Sequence, residues 1–138
     1  MIKALKVTMI VYAAVGILFG LAYVFVPRQL GAMFGFEEGP AHVAAMAAAL
    51  GVSWVAACIF LIIAARDPLK HILWVKYAIV FAILSFAAEL SSVIRGYMDF
   101  GDRGAVMGVM THAVFAIALL AFYPWRAAPS AKQAADKP

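Results

Sequence analysis

Four long apolar segments, separated by short connections, constrain this chain more than any other feature of its sequence. They cover residues 7–26, 41–65, 72–94 and 104–125. An α-helix needs about 20 apolar residues to cross a hydrocarbon core of about 30 Å, and each segment reaches that length. With 67% hydrophobic and 13% charged residues, the chain cannot form a soluble domain that hides its apolar surface. The sequence predicts an all-α, polytopic membrane protein, an antiparallel bundle of four transmembrane helices.

The segments leave little chain for a second domain. We assign residues 1–126 to one transmembrane domain and expect the tail, residues 127–138, to be a disordered cytoplasmic extension because it has few apolar groups to bury. The first segment is too long for a signal peptide, and no convincing cleavage site follows it, so we expect it to be retained. Residues 28–38 mix bulky apolar side chains with Gly and charges, which predicts an interfacial stretch or a lid over the bundle.

The basic residues are divided unequally between the two predicted sides of the membrane. Eight fall on the side of the termini, namely Lys3, Lys6, Arg66, Lys70, Lys76, Arg126, Lys132 and Lys137, and three on the other, namely Arg28, Arg95 and Arg103. The positive-inside rule then predicts cytoplasmic N and C termini in a bacterial-type inner membrane. No basic face exists apart from these membrane flanks, which argues against a nucleic-acid partner.

Glu89 lies within the third apolar segment, where an ionised side chain costs roughly 2.5–3.5 kcal/mol at the centre of a spanning helix. Helical spacing places it on one stripe with small and polar residues, which are Ala78, Ala82, Ser85, Ser92 and Gly96. The opposite face is bulky and apolar, as expected of a surface in contact with lipid. Glu89 is therefore predicted to face the interior of the bundle.

His112 is the predicted partner of Glu89. It lies on a stripe of the fourth segment with Ala105, Gly108 and Ala116. The third segment runs outward and the fourth inward, so Glu89 and His112 lie about 10 Å and about 12 Å below the outer surface. We expect them to line an outward-opening cavity as a ligand or proton site, with Ser85, Ser92 and Tyr23 nearby.

The pair has two alternative interpretations. Low dielectric disfavours a charged carboxylate and an imidazolium favours it, so the two groups can share a proton near neutral pH, as in a proton relay or a ligand clamp. A polar contact between helices can also serve only to fix their register.

Metal and haem sites are further hypotheses. His42, at the outer end of the second segment, can join His112 and Glu89 as a catalytic zinc site of two His and one Glu, although the short ligand spacing typical of such sites is missing. His42 and His112 can also serve as two axial haem ligands. The cofactor stays open. The single cysteine, Cys58, excludes an internal disulfide and a CxxC redox pair.

Several features spaced along the chain are similar to those of the DoxX-like and BphX-like families of small four-helix membrane proteins. The features are Pro27 at the end of the first segment, Leu30 and Gly35 after it, a second segment of small residues, Arg66-Asp67-Pro68, and Trp74-Val75-Lys76 at the start of the third segment. The resemblance covers nearly the whole chain and implies the fold. Some members are tied to membrane oxidoreductase systems, which implies a role beside such a system.

Small multidrug-resistance transporters also have four spans and one membrane Glu. Theirs lies in the first span, whereas Glu89 lies in the third, and the charge asymmetry opposes dual topology.

Three functions are consistent with these features. The first is a small accessory or binding module, not itself an enzyme, that sits in the lipid bilayer and associates with a respiratory or oxidoreductase complex or with a second copy of the chain. The second is a carrier or channel for a small molecule, coupled to protons. The third is a metal-dependent membrane enzyme.

Overall fold

The computed structural model describes residues 1–33, 41–101 and 103–125, and at positions 41 and 42 the backbone alone. The described residues form the helices α1 (Ile2–Phe25), α2 (Pro27–Met33), α3 (Ala41–Arg66), α4 (Ile72–Ile94) and α5 (Arg103–Phe122). Four of them, α1, α3, α4 and α5, are long and apolar enough to cross a membrane. The predicted all-α class is thereby confirmed for the described residues, as are four helices with the length and composition to span a membrane.

The ends of α1 and α5 differ from the predicted spans. Helix α1 begins at Ile2, five residues before the predicted span, and Lys6 in this added part donates a hydrogen bond from Nζ to the carbonyl of Arg66 at 2.5 Å. Helix α5 ends at Phe122, three residues before the predicted end. Pro124 follows, and a proline cannot continue a helix because it lacks the N–H donor. The predicted disordered tail lies outside the described residues.

The short helix α2 occupies the first part of the stretch predicted to lie in the interface or to cover the bundle. Pro27 suits its first position, since the fixed φ of proline fits a helix and its missing N–H is not needed there. Leu30 is buried, and α2 contacts both α1 and α3. The rest of the predicted stretch, residues 34–38, lies outside the description.

The four long helices pack as two close pairs. Helix α1 contacts α3 most extensively and α4 contacts α5 next, while the contacts from α1 to α5 and from α3 to α4 are sparser. The tightest part of the core joins the pairs near Lys6 and Arg66, where Leu5, Met9 and Leu119 are fully buried. Polar side chains occupy the other half of the bundle.

Glycines allow the close approach of α1 and α3. A Cβ atom on Gly20 would lie 2.9 Å from the carbonyl oxygen of Gly51 and 3.3 Å from the backbone nitrogen of Val55. Backbone atoms cannot move aside as the end of a flexible side chain can. The small residues of the two spans therefore set the distance between these helices, as small residues commonly do in membranes.

Gly20→Ala is expected to destabilise the bundle by roughly 1–3 kcal/mol, because the added methyl group overpacks the contact between two backbones. Reversible unfolding in mixed micelles of maltoside and SDS would measure the change. Gly101→Ala is the matched control, since a Cβ there first meets an atom at 3.4 Å, an ordinary contact. Equal stability changes in the two variants would contradict the assignment of Gly20 to the helix interface.

Candidate functional site

Glu89 and His112 are in direct contact between α4 and α5. Nδ1 of His112 lies 3.1 Å from Oε2 of Glu89, within hydrogen-bonding distance. The side chain of His112 is 9% exposed and that of Glu89 is 23% exposed, so both are largely withdrawn from the surface. The predicted proximity of the two residues is confirmed. Their role as a ligand or proton site remains a prediction.

Gly108 makes room for the carboxylate. A Cβ atom on Gly108 would lie 2.8 Å from Oε1 and 3.1 Å from Cδ of Glu89. Gly108 precedes His112 by four residues and therefore lies on the same face of α5. One helix thus supplies both the hydrogen-bond partner of Glu89 and the space that its side chain occupies.

Three aromatic rings surround the imidazole of His112. Their centroids lie 6.3 Å (Tyr12), 6.4 Å (Trp54) and 6.4 Å (Phe81) from that of the imidazole, and all three meet it at steep interplanar angles. The three rings come from α1, α3 and α4. His112 itself belongs to α5, so side chains from all four long helices meet at this level.

A cavity lies among these side chains. About 70 Å³ is open to the centres of water-sized molecules. That is space for about five waters, at roughly 10–15 Å³ each. Its walls are Tyr12, Val15, Gly16, Phe19 and Tyr23 of α1, Trp54, Ala57, Cys58 and Leu61 of α3, Tyr77, Ala78, Phe81 and Glu89 of α4, and Gly108, Thr111 and His112 of α5. The lining is mostly apolar and aromatic, with a few polar groups, as is common for small-molecule sites.

The cavity borders a buried polar atom that lacks a protein partner in the part of the chain that the structure describes. The hydroxyl of Tyr12 is buried and has no hydrogen-bond partner among the described residues. The hydrogen bond of His112 uses Nδ1, and within the described part of the chain Nε2 has none. A buried polar group left unsatisfied costs about 1–3 kcal/mol. A ligand with a complementary polar group can offset this cost.

The predicted neighbours of the pair are only partly found at the cavity. Tyr23 lines it and meets Trp54 edge to face at 5.6 Å. Ser92 instead donates its hydroxyl to the carbonyl of Ala88 in its own helix at 2.9 Å. Neither Ser85 nor Ser92 is among the lining residues.

The structure brings together no metal-binding group of three His, Cys, Asp or Glu side chains among the residues it describes. The side chain of His42 lies outside the description. The zinc and haem hypotheses, which both need His42, therefore remain untested predictions.

Tyr12, Trp54 and Phe81 were not predicted as site residues, although one of them carries a recognisable signal. Tryptophan in membrane proteins concentrates at the interfaces with water. Trp74, near the start of the third predicted span, and Trp125, at the end of the fourth, follow that pattern. Trp54 instead lies at the middle of α3. A tryptophan at that depth indicates an interior surface, and it would have identified this face of α3.

Comparison with known proteins finds no matching family model, curated protein or solved structure. Four helices of this length and apolar composition among the described residues indicate a multi-pass membrane protein, and the resemblance to the DoxX-like and BphX-like families stays a prediction.

A double-mutant cycle with Glu89→Ala and His112→Ala is expected to give a coupling free energy of at least about 0.6 kcal/mol, the average for polar contacts between membrane helices, whose maximum is about 1.7 kcal/mol. The same unfolding assay would measure it. Pairing Glu89→Ala with His71→Ala is the control, because His71 lies in the connection between α3 and α4 and should show no coupling. A Glu89–His112 coupling as small as the control would show that the contact does not exist in the folded protein.

Proposed function

We propose that the four long helices form an antiparallel bundle with both termini in the cytoplasm, within a bacterial-type inner membrane. Contacts between α1 and α3 support opposite directions, because Lys6 meets Arg66 at one end of the pair and Gly20 meets Gly51 further along it. The excess of basic residues on the side of the termini supports the orientation.

We propose that the chain is a small binding module whose intramembrane cavity holds a small-molecule ligand at Glu89 and His112. The observation that carries this proposal is the hydrogen-bonded pair at the wall of an aromatic cavity, next to a buried Tyr12 hydroxyl that has no partner among the described residues. A contact that only fixed helix register would need no cavity, since protein interiors are close-packed and voids are destabilising. A cavity beside a hydrogen-bonded carboxylate and imidazole favours a ligand site.

The accessory role of this module beside a membrane oxidoreductase or respiratory complex follows from the family resemblance alone. A stable partner that co-purifies from the native membrane would support it. Lipid, a partner complex and a second copy of the chain all remain compatible with the exposed apolar surfaces of the four long helices.

A proton-coupled carrier is the second candidate function. The observation that favours it is that a carboxylate and an imidazole, two groups that exchange protons readily, share one hydrogen bond at the cavity wall. Flux of a small molecule across proteoliposomes, driven by a pH gradient and lost in Glu89→Gln, would distinguish a carrier from a binding module.

The binding proposal predicts that benzyl alcohol, a small aromatic probe with one hydroxyl, binds saturably in the cavity. Titration would be followed through the side-chain ¹⁵N signals of His112 in maltoside micelles. Ala57→Phe should weaken binding by at least about tenfold, because Ala57 lines the cavity and a phenyl ring there occupies part of it.

Ala56→Phe is the matched control, since Ala56 is exposed, adjacent in sequence and absent from the cavity wall. A wild-type titration without saturation, or equal affinity in both phenylalanine variants, would refute a ligand site in the cavity.

A further inference from the structure

We infer that the ligand of this cavity is an organic ammonium cation, an inference that rests on the proposed binding function and specifies its substrate class. Three features of the cavity wall support this inference: its charge, the hydrogen-bonding character of its polar atoms, and the arrangement of its aromatic rings.

The charge at the wall favours a cation. Glu89 is the carboxylate among the lining residues, and no Lys or Arg lies among the described residues that line the cavity. The nearby basic residue Arg95 follows Glu89 by six positions and is exposed at the end of α4. When the imidazole of His112 is neutral, an anionic ligand would face the carboxylate with no cation to offset the repulsion, whereas a cation would gain a counter-ion.

Glu89 and His112 present hydrogen-bond acceptors at the cavity wall. When Glu89 is ionised it can only accept, so Nδ1 of His112 donates to Oε2. In the neutral imidazole this leaves Nε2 as an acceptor. Acceptor atoms carry negative charge or partial negative charge, which attracts an ammonium cation whether or not it carries an N–H group.

The aromatic rings add a matching electrostatic surface. Trp54 and Phe81 lie edge to face at 6.0 Å, and Phe81 stacks with Tyr77 at 5.9 Å, so rings from α3 and α4 form a continuous wall. Ring faces carry negative potential and attract cations, and cages of such rings are used to bind quaternary ammonium groups. Tyr12, from α1, brings a ring to the same cavity.

The size of the cavity fits a small ammonium group. Space for about five waters corresponds to roughly 150 Å³ of liquid volume, at about 30 Å³ per water. A neutral, wholly apolar ligand of that size would leave the carboxylate without a counter-ion and Nε2 of His112 without a partner. The ammonium group can belong to a free amine or to a phospholipid headgroup, since both present the same chemistry.

Choline and its carbon isostere 3,3-dimethylbutanol provide the test, because they have the same shape and differ in charge. Both would be titrated into the full chain in maltoside micelles, which contain neither choline nor charge, and followed through the His112 ¹⁵N signals. Choline should bind at least about tenfold more tightly than the alcohol, as expected for a desolvated cation against aromatic rings and a carboxylate. Dihexanoylphosphatidylcholine, titrated in parallel, would show whether a lipid headgroup is accepted as well as the free cation.

Glu89→Gln should remove most of the preference for choline while leaving the affinity for the alcohol within about threefold, since the amide oxygen can still accept from His112. Asp67→Asn is the matched control, because it removes a carboxylate outside the cavity wall. If Glu89→Gln does not fold, Trp54→Leu provides the second test, with Trp74→Leu as its control outside this cavity. It should weaken choline binding more than binding of the alcohol.

Equal affinities for choline and the alcohol, or an undiminished preference in Glu89→Gln and Trp54→Leu, would overturn the assignment of a cation. Binding of benzyl alcohol with no preference for choline would leave the proposed function standing and reject only the ligand class. Absence of saturable binding by every probe would instead reject the binding function itself.

Discussion

The hydrogen bond between Glu89 and His112 is the interaction on which the other features of this bundle depend. A carboxylate in an apolar span is costly unless it faces the interior and has a partner. Helix α5 supplies that partner, and Gly108 on the same helix supplies the space for the carboxylate. The pair thereby fixes the rotation of α4 and α5 about their axes, because only a narrow range of rotations keeps Glu89 opposite both residues.

One part of the bundle is closely packed, and the other part contains a cavity. Near Lys6 and Arg66, fully buried aliphatic side chains fill the space between the four helices. Around His112, large rings from α1, α3 and α4 border the cavity. The close approach of α1 and α3 at Gly20 stabilises one pair independently of the cavity. The bundle therefore tolerates a cavity in one half because the other half is densely packed.

The sequence predicts the helices and the central pair, but not the cavity around them. Segment length and apolar composition suffice to predict four spans. The stripe of small residues on α4 predicts that Glu89 faces inward. Trp54 was missed because α3 is apolar on every side, so periodicity does not reveal which face meets α1 and α4. The hydrogen bond of Ser92 could not be predicted from its position on the stripe, because a serine in a helix can donate to the carbonyl four residues earlier, as it does to Ala88.

The most direct test of a Glu89–His112 site within the membrane is a distance measurement in a lipid bilayer. Solid-state NMR with ¹³C in the Glu89 carboxyl group and ¹⁵N in the His112 ring measures the dipolar coupling between them. A hydrogen bond of 3.1 Å between Oε2 and Nδ1 predicts a carbon–nitrogen distance of about 4 Å. A distance beyond about 6 Å, too long for a hydrogen bond, would contradict the account.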